Sequence, residues 1–156
     1  ADGYLEAIRE LCDRNNIVLI FDECTTGFRQ QCGGPHKQFG VDPDMCLLGK
    51  ALGNGYAITA VLGKREIMEM ASESFISSTF WTESVGPTAA LATINSMQTL
   101  KSWDILPAIG SSVKSVWKSA SIKHGLPLTI CGIDALPTFT FDTDNPMAFK
   151  TVFILL

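Results

Sequence analysis

The stretch IVLIFDECTTGFR, residues 17–29, decides how this chain is read. Five apolar residues run straight into Asp22 and Glu23, and a Thr-Thr-Gly turn and Arg29 follow. A short continuous apolar run of this kind predicts a central parallel strand over residues 17–21, covered on both faces. It delivers two carboxylates at its C-terminal end, where open α/β sheets carry their chemistry.

Upstream, Tyr4, Leu5, Ile8, Leu11 and Cys12 recur at helical spacing, with Asn15 and Asn16 as a stop. Downstream, residues 27–44 are rich in Gly, Gln and Pro and read as a long irregular connection. Residues 45–48 form a second apolar run, residues 57–62 a third strand and residues 64–71 a short helix. A strong helical pattern covers residues 88–100. The WDILP stretch at 103–107 is the expected domain break, followed by an amphipathic helix over 107–124 that Gly125 closes. Residues 128–133 and 138–141 alternate as strands of a separate antiparallel sheet. The expected architecture is therefore α/β, with one partial domain over residues 1–103 and a second over 104–156.

Composition narrows the function. The chain has 156 residues, 46% hydrophobic and 18% charged, with a net charge of −4. A mean hydropathy of +0.21 suits a chain with a sizeable core. No Lys/Arg cluster offers the electrostatic footprint of a nucleic-acid binder. No run of about 18 apolar residues predicts a membrane span. Five cysteines, odd in number and without a CxxC pair, read as reduced thiols in a cytoplasmic protein, with no metal site expected. The first residues lack Met and the last ones, AFKTVFILL, are strongly apolar. A piece of a longer protein is expected.

One reading of the acids follows P-loop ATPases, where Asp holds magnesium and Glu activates water. It requires a GxxxxGK[ST] cradle, and here Gly49-Lys50 is followed by Ala51, which cannot ligate the metal. Lys50 itself redirects the argument. It follows the second strand among Gly49, Gly53 and Gly55, where partial desolvation would lower its pKa and favour a free amine. Such an amine can form a Schiff base. Pyridoxal phosphate needs one lysine for its aldehyde and one acid for its ring nitrogen, and neighbouring parallel strand ends would bring Lys50 and Asp22 together.

Three segments, LIFDECTTGFR, PDMCLLGKALGNGYAITAVLGKREIM and STFWTESVGPTAALATI, stand in the order and spacing of one family. Over residues 1 to about 100 the chain resembles the class III (subgroup II) pyridoxal-phosphate aminotransferases, glutamate-1-semialdehyde aminomutases among them. Residues 107–156 resemble the start of that family's C-terminal domain. The resemblance implies part of the fold-type I large domain, a mostly parallel sheet flanked by helices. It implies a homodimer acting on a small amino donor and a carbonyl acceptor. Asp22 would pair with the cofactor's ring nitrogen and Lys50 would form the Schiff base. Thr79 falls where the family binds the cofactor phosphate of the neighbouring subunit. Cys24 falls where a Val lies against the ring face, and Thr25 where many relatives carry a Gln beside the ring hydroxyl. Trp81, Thr82 and Glu83 replace Gly-Gly-Asn, a departure expected to reshape the pocket mouth and the substrate range.

The remaining candidates read as structural. Glu23 is expected to bond locally or to pair with Arg29. His36 and His124 are expected at the surface, and Trp103 and Trp117 in packing. An alternative function is a non-catalytic copy acting at most as a binding module.

Overall fold

A computed structural model describes residues 2–77, 79–80 and 82–155. The chain divides into two compact units, residues 1–102 and 103–156.

The first unit opens with helix α1 (Tyr4–Asn15). It ends where Asn16 turns left-handed at φ 54° and its N–H reaches the Asp13 and Cys12 carbonyls, a stop the paired asparagines announce. Strand β1 (Ile20–Asp22) pairs in parallel with β2 (Met45–Leu48), and β3 (Ala60–Gly63) adds antiparallel on the other side of β2. The sheet order β1-β2-β3 makes β2 the central strand, contrary to the expectation for residues 17–21. Ile17, Val18 and Ile20 are about half exposed, because β1 has one strand neighbour among the described residues and little packed over it. The expected mostly parallel sheet is one parallel and one antiparallel pairing over these strands.

The irregular connection contains one short helix, α2 (His36–Phe39). The Thr-Thr-Gly turn closes where Gly27 N–H donates to the Glu23 carbonyl at 2.7 Å. Asp44, just ahead of β2, fastens the unit. Its carboxylate accepts from the Leu19 N–H at 2.7 Å and pairs with Arg9 of α1 at 3.0 Å and Lys64 after β3 at 2.7 Å. These donors hold its pKa down to about 2, the Lys64 bond first and the Leu19 N–H next.

Beyond β3, α3 (Arg65–Met68) runs on into a 3-10 turn, and α4 (Val85–Leu100) follows. Helix α4 begins three residues earlier than its periodicity suggests, because the Glu83 carboxylate accepts the Val85 and Gly86 N–H groups, both at 2.8 Å. It buries Gly86, Ala90 and Met97. Lys101, left-handed at φ 49°, ends it by donating to the Met97 carbonyl.

Helix α5 (Ser102–His124) runs through the stretch read as a break, with Pro107 inside it. Pro107 sits only six residues in, where the hydrogen bond it removes lies at the frayed end of the ladder. Gly125, at φ 61°, closes the helix as expected. Strands β4 (Leu128–Cys131) and β5 (Thr138–Phe141) form an antiparallel hairpin. The apolar last residues form α6 (Pro146–Leu155), which turns Phe149 and Phe153 onto Phe141 at 5.6 and 6.4 Å. Phe139 joins them, with Trp117 edge-on at 5.0 Å, so Trp117 is a packing residue.

Candidate active site

Parallel pairing of β1 with β2 sets Asp22 opposite Leu47, so Asp22 and the loop after Leu48 leave the sheet side by side. Lys50 heads a 3-10 turn (Lys50–Leu52) in that loop. Its backbone is left-handed at φ 46°, a strained conformation for a side-chain-bearing residue and one found at working sites. Its Nζ donates to the Thr25 hydroxyl. Gly49 lies so close to this group that a Cβ there would meet Cys24 Sγ at 3.5 Å.

The Asp22 carboxylate accepts the Cys24 N–H at 3.1 Å. That bond, the Cys24 thiol and the charge of Lys50 hold Asp22 below the ordinary carboxylate range, so it stays ionised. Burial and the neighbouring Asp22 push the Cys24 thiol up, leaving it a protonated lining group. An open cleft of about 490 Å³ lies beside Lys50, lined by Arg29, Asn54, Gly55 and Tyr56 among others.

Asp22, Cys24, Thr25 and Lys50 therefore lie together at these strand ends. Thr79 stands exposed in the turn before α4, and no hydrogen bond among the described residues joins it to the other four. Trp81 lies outside the described residues, while Glu83 has the capping role given above. Lys50 is exposed, which corrects the expectation that burial would free its amine.

Two further corrections concern what lies behind Asp22. Strand alternation sends Glu23 to the opposite face, into the interior, where it is 5% exposed. Its partners are the His36 N–H at 2.9 Å, His36 Nδ1 at 2.7 Å and Cys46 Sγ at 3.0 Å. These are neither the local bonds nor the pairing with Arg29 that were the two expectations; Arg29 donates to the Thr25 carbonyl at 3.3 Å. His36, expected at the surface, is 8% exposed. The Glu next to Asp on an alternating strand was the available signal for an inward acid. Nothing in the spacing announced its histidine. Asp44 also went unnoticed, being one of several acids in a loop.

The chemistry of this group suits pyridoxal phosphate. It combines an ionised carboxylate with a reachable primary amine and a tight glycine that leaves room for a flat ring. The family description "Aminotransferase class-III" matches residues 1–147. The chain belongs to the class-III aminotransferase family. Within this family, it is 40% identical over 149 residues to a 3-aminobutyryl-CoA aminotransferase of Cloacimonas acidaminovorans, covering 95% of this chain and 36% of that protein. It is 40% identical over 137 residues to a glutamate-1-semialdehyde 2,1-aminomutase of Methanosarcina acetivorans, covering 86% of this chain and 32% of that one. Among solved structures, the internal-aldimine form of the FumI protein of Sphingopyxis sp. MTA144 superposes with a TM-score of 0.81 at 28% identity, over 92% of this chain and 34% of that one. The fold is thus part of the fold-type I transferase architecture. This class-III chain spans about a third of the length of the curated relatives it matches.

Proposed function

We propose that the protein containing this chain is a pyridoxal-phosphate-dependent aminotransferase or aminomutase. It would move an amino group from a small amino donor to a carbonyl acceptor, or within one molecule. The observation that carries the reading is the convergence of ionised Asp22 and the Lys50 amine at adjacent parallel strand ends. Bound pyridoxal phosphate supplies an aldehyde that condenses with amines and an electron-poor ring that accepts the electrons of a bond broken at the substrate Cα.

In this proposal Asp22, which stays ionised, would be the residue that holds the cofactor's ring nitrogen protonated. Lys50 would hold the cofactor through its amine, and the same amine would be the group that moves the proton at the substrate Cα. Cys24 packs against the ring face, and Thr25 orients the lysine and the ring edge. Thr79 binds the cofactor phosphate of the neighbouring subunit in a homodimer. Residues 1–103 belong to the cofactor-binding domain and residues 104–156 to the start of the C-terminal domain. The cytoplasm is the proposed location; no described helix is long and apolar enough to cross a membrane. The presence of both Asp22 and Lys50 within the family match favours an enzyme over a non-catalytic module.

The test uses the full-length protein. Borohydride treatment should leave a reduced cofactor adduct on Lys50, detected by peptide mass, and Lys50→Ala should abolish adduct and activity together. Retention of visible absorbance and activity in Lys50→Ala would sink the assignment.

A further inference from the structure

Behind the proposed active site, the buried cluster of Glu23, His36 and Cys46 has a composition that hydrogen bonding alone does not demand. One ligand atom from each of Glu23, His36 and Cys46 lies within 4.8 Å of the others, and Glu23 Oε2 meets His36 Nδ1 at 2.7 Å and Cys46 Sγ at 3.0 Å. The three residues are 5%, 8% and 6% exposed. They come from three separate places: the residue after β1, helix α2 and strand β2. We propose that they form a binding site for one zinc-like divalent cation, with Asp42 as the carboxylate behind the imidazole.

One oxygen, one nitrogen and one sulfur donor match the mixed ligand sets of zinc, a borderline-soft ion that takes carboxylate, imidazole and thiolate together. The contacts of 2.7 Å and 3.0 Å to Glu23 Oε2 are bridged by exchangeable protons, which a cation replaces. Charge balances. Glu23 is the first negative charge, and Cys46 becomes the second by releasing its thiol proton to solvent. An imidazole that binds a cation through Nδ1 carries its proton on Nε2 and adds no charge. A dication then leaves the buried site without net charge, which burial favours. Asp42 Oδ1 lies 3.8 Å from His36 Nε2, beyond direct hydrogen-bond reach, and pairs with Lys37 Nζ at 3.0 Å; in the proposed site it would move onto Nε2 and steady the metal-bound imidazole.

Space and access are also present. Gly34 lies over the cluster, and a Cβ there would fall 1.9 Å from Glu23 Oε2 and 2.6 Å from His36 Nδ1. A groove of about 440 Å³ is lined by Cys32, Gly34, Asp42 and two of the three ligands, His36 and Cys46; a water from it would be the fourth ligand. The site stands independently of any cofactor on Lys50.

The full-length protein, reduced and stripped of cofactor and metal, is titrated with Co²⁺. One equivalent should bind, with a thiolate-to-metal charge-transfer band and release of a proton. Cys46→Ser should abolish the band and weaken binding at least tenfold. Asp42 is 71% exposed in its side chain, so Asp42→Asn should fold normally; it should keep the band and bind roughly 10–100-fold more weakly. Cys24→Ser should change neither. Failure of the parent protein to bind one equivalent, or a band that survives Cys46→Ser, would show that the cluster holds protons only and overturn the proposal. Unchanged affinity in Asp42→Asn would remove Asp42 from the site.

Discussion

Glu23 Oε2 and His36 Nδ1 meet at 2.7 Å in the interior, directly behind the residue that faces the proposed cofactor. The contact joins the end of β1 to helix α2, thirteen residues on, and ties the acidic turn to the connection that follows it. Glu23→Ala would strand the His36 N–H and the Cys46 thiol in a buried space. The expected loss is about 3 kcal/mol of stability, read from the denaturant midpoint.

Asp44 predicts an acid limb to the stability curve. Its folded pKa is lowered to about 2, while the unfolded chain titrates near the ordinary 3.8. Its contribution is therefore complete above the unfolded value and is lost as pH falls towards 2. Asp44→Asn should cost about 1–2 kcal/mol at neutral pH and flatten the decline between about pH 4 and 2. Denaturant titrations across that range would check it; equal slopes in both proteins would be the contrary result.

Asp22→Asn keeps the shape of the side chain but removes its charge. In the full-length enzyme turnover should fall at least about 100-fold, since the carboxylate acts on charge in the reacting group. Cofactor content and the Lys50 adduct should persist, which separates loss of chemistry from loss of binding.

Glu83→Ala should weaken the start of α4 by about 1 kcal/mol, since two first-turn N–H groups lose their acceptor. Glu83→Gln retains an acceptor oxygen and should recover part of the loss. Thermal melts of the three proteins give the comparison.

Gly110 faces the turn after β4 so closely that a Cβ would fall 1.6 Å from the Asp134 carbonyl oxygen. The clash is with backbone, which cannot swing aside. Gly110→Ala is therefore expected to destabilise the unit of residues 103–156 by at least about 2 kcal/mol, despite alanine's better helix propensity. Hydrogen exchange of β4 and β5 amides would localise the effect.

Local pattern carried much of this protein. The 45–48 run is β2 to the residue, the paired asparagines end α1, and Gly125 ends α5. Asp22 and Lys50 were legible because each follows an apolar run, and parallel strands bring their ends together whatever surrounds them. The proline of the 103–107 stretch does not interrupt α5, since a breaker near a helix start removes few hydrogen bonds; the two compact units still divide beside it, between residues 102 and 103. Glu83 was read for the pocket mouth although its nearer role lies in the helix it precedes.

The sequence by itself determined β2, the ends of α1 and α5 and the family, since these depend on residue order and on periods of two and 3.6. Only the tertiary structure decided that β2 is the central strand, that Lys50 is exposed, and that Glu23 turns inward to His36 and Cys46. Burial and long-range hydrogen bonds depend on which segments meet in space. Thirteen and twenty-three residues of chain separate Glu23 from its two partners, and no local pattern encodes that meeting.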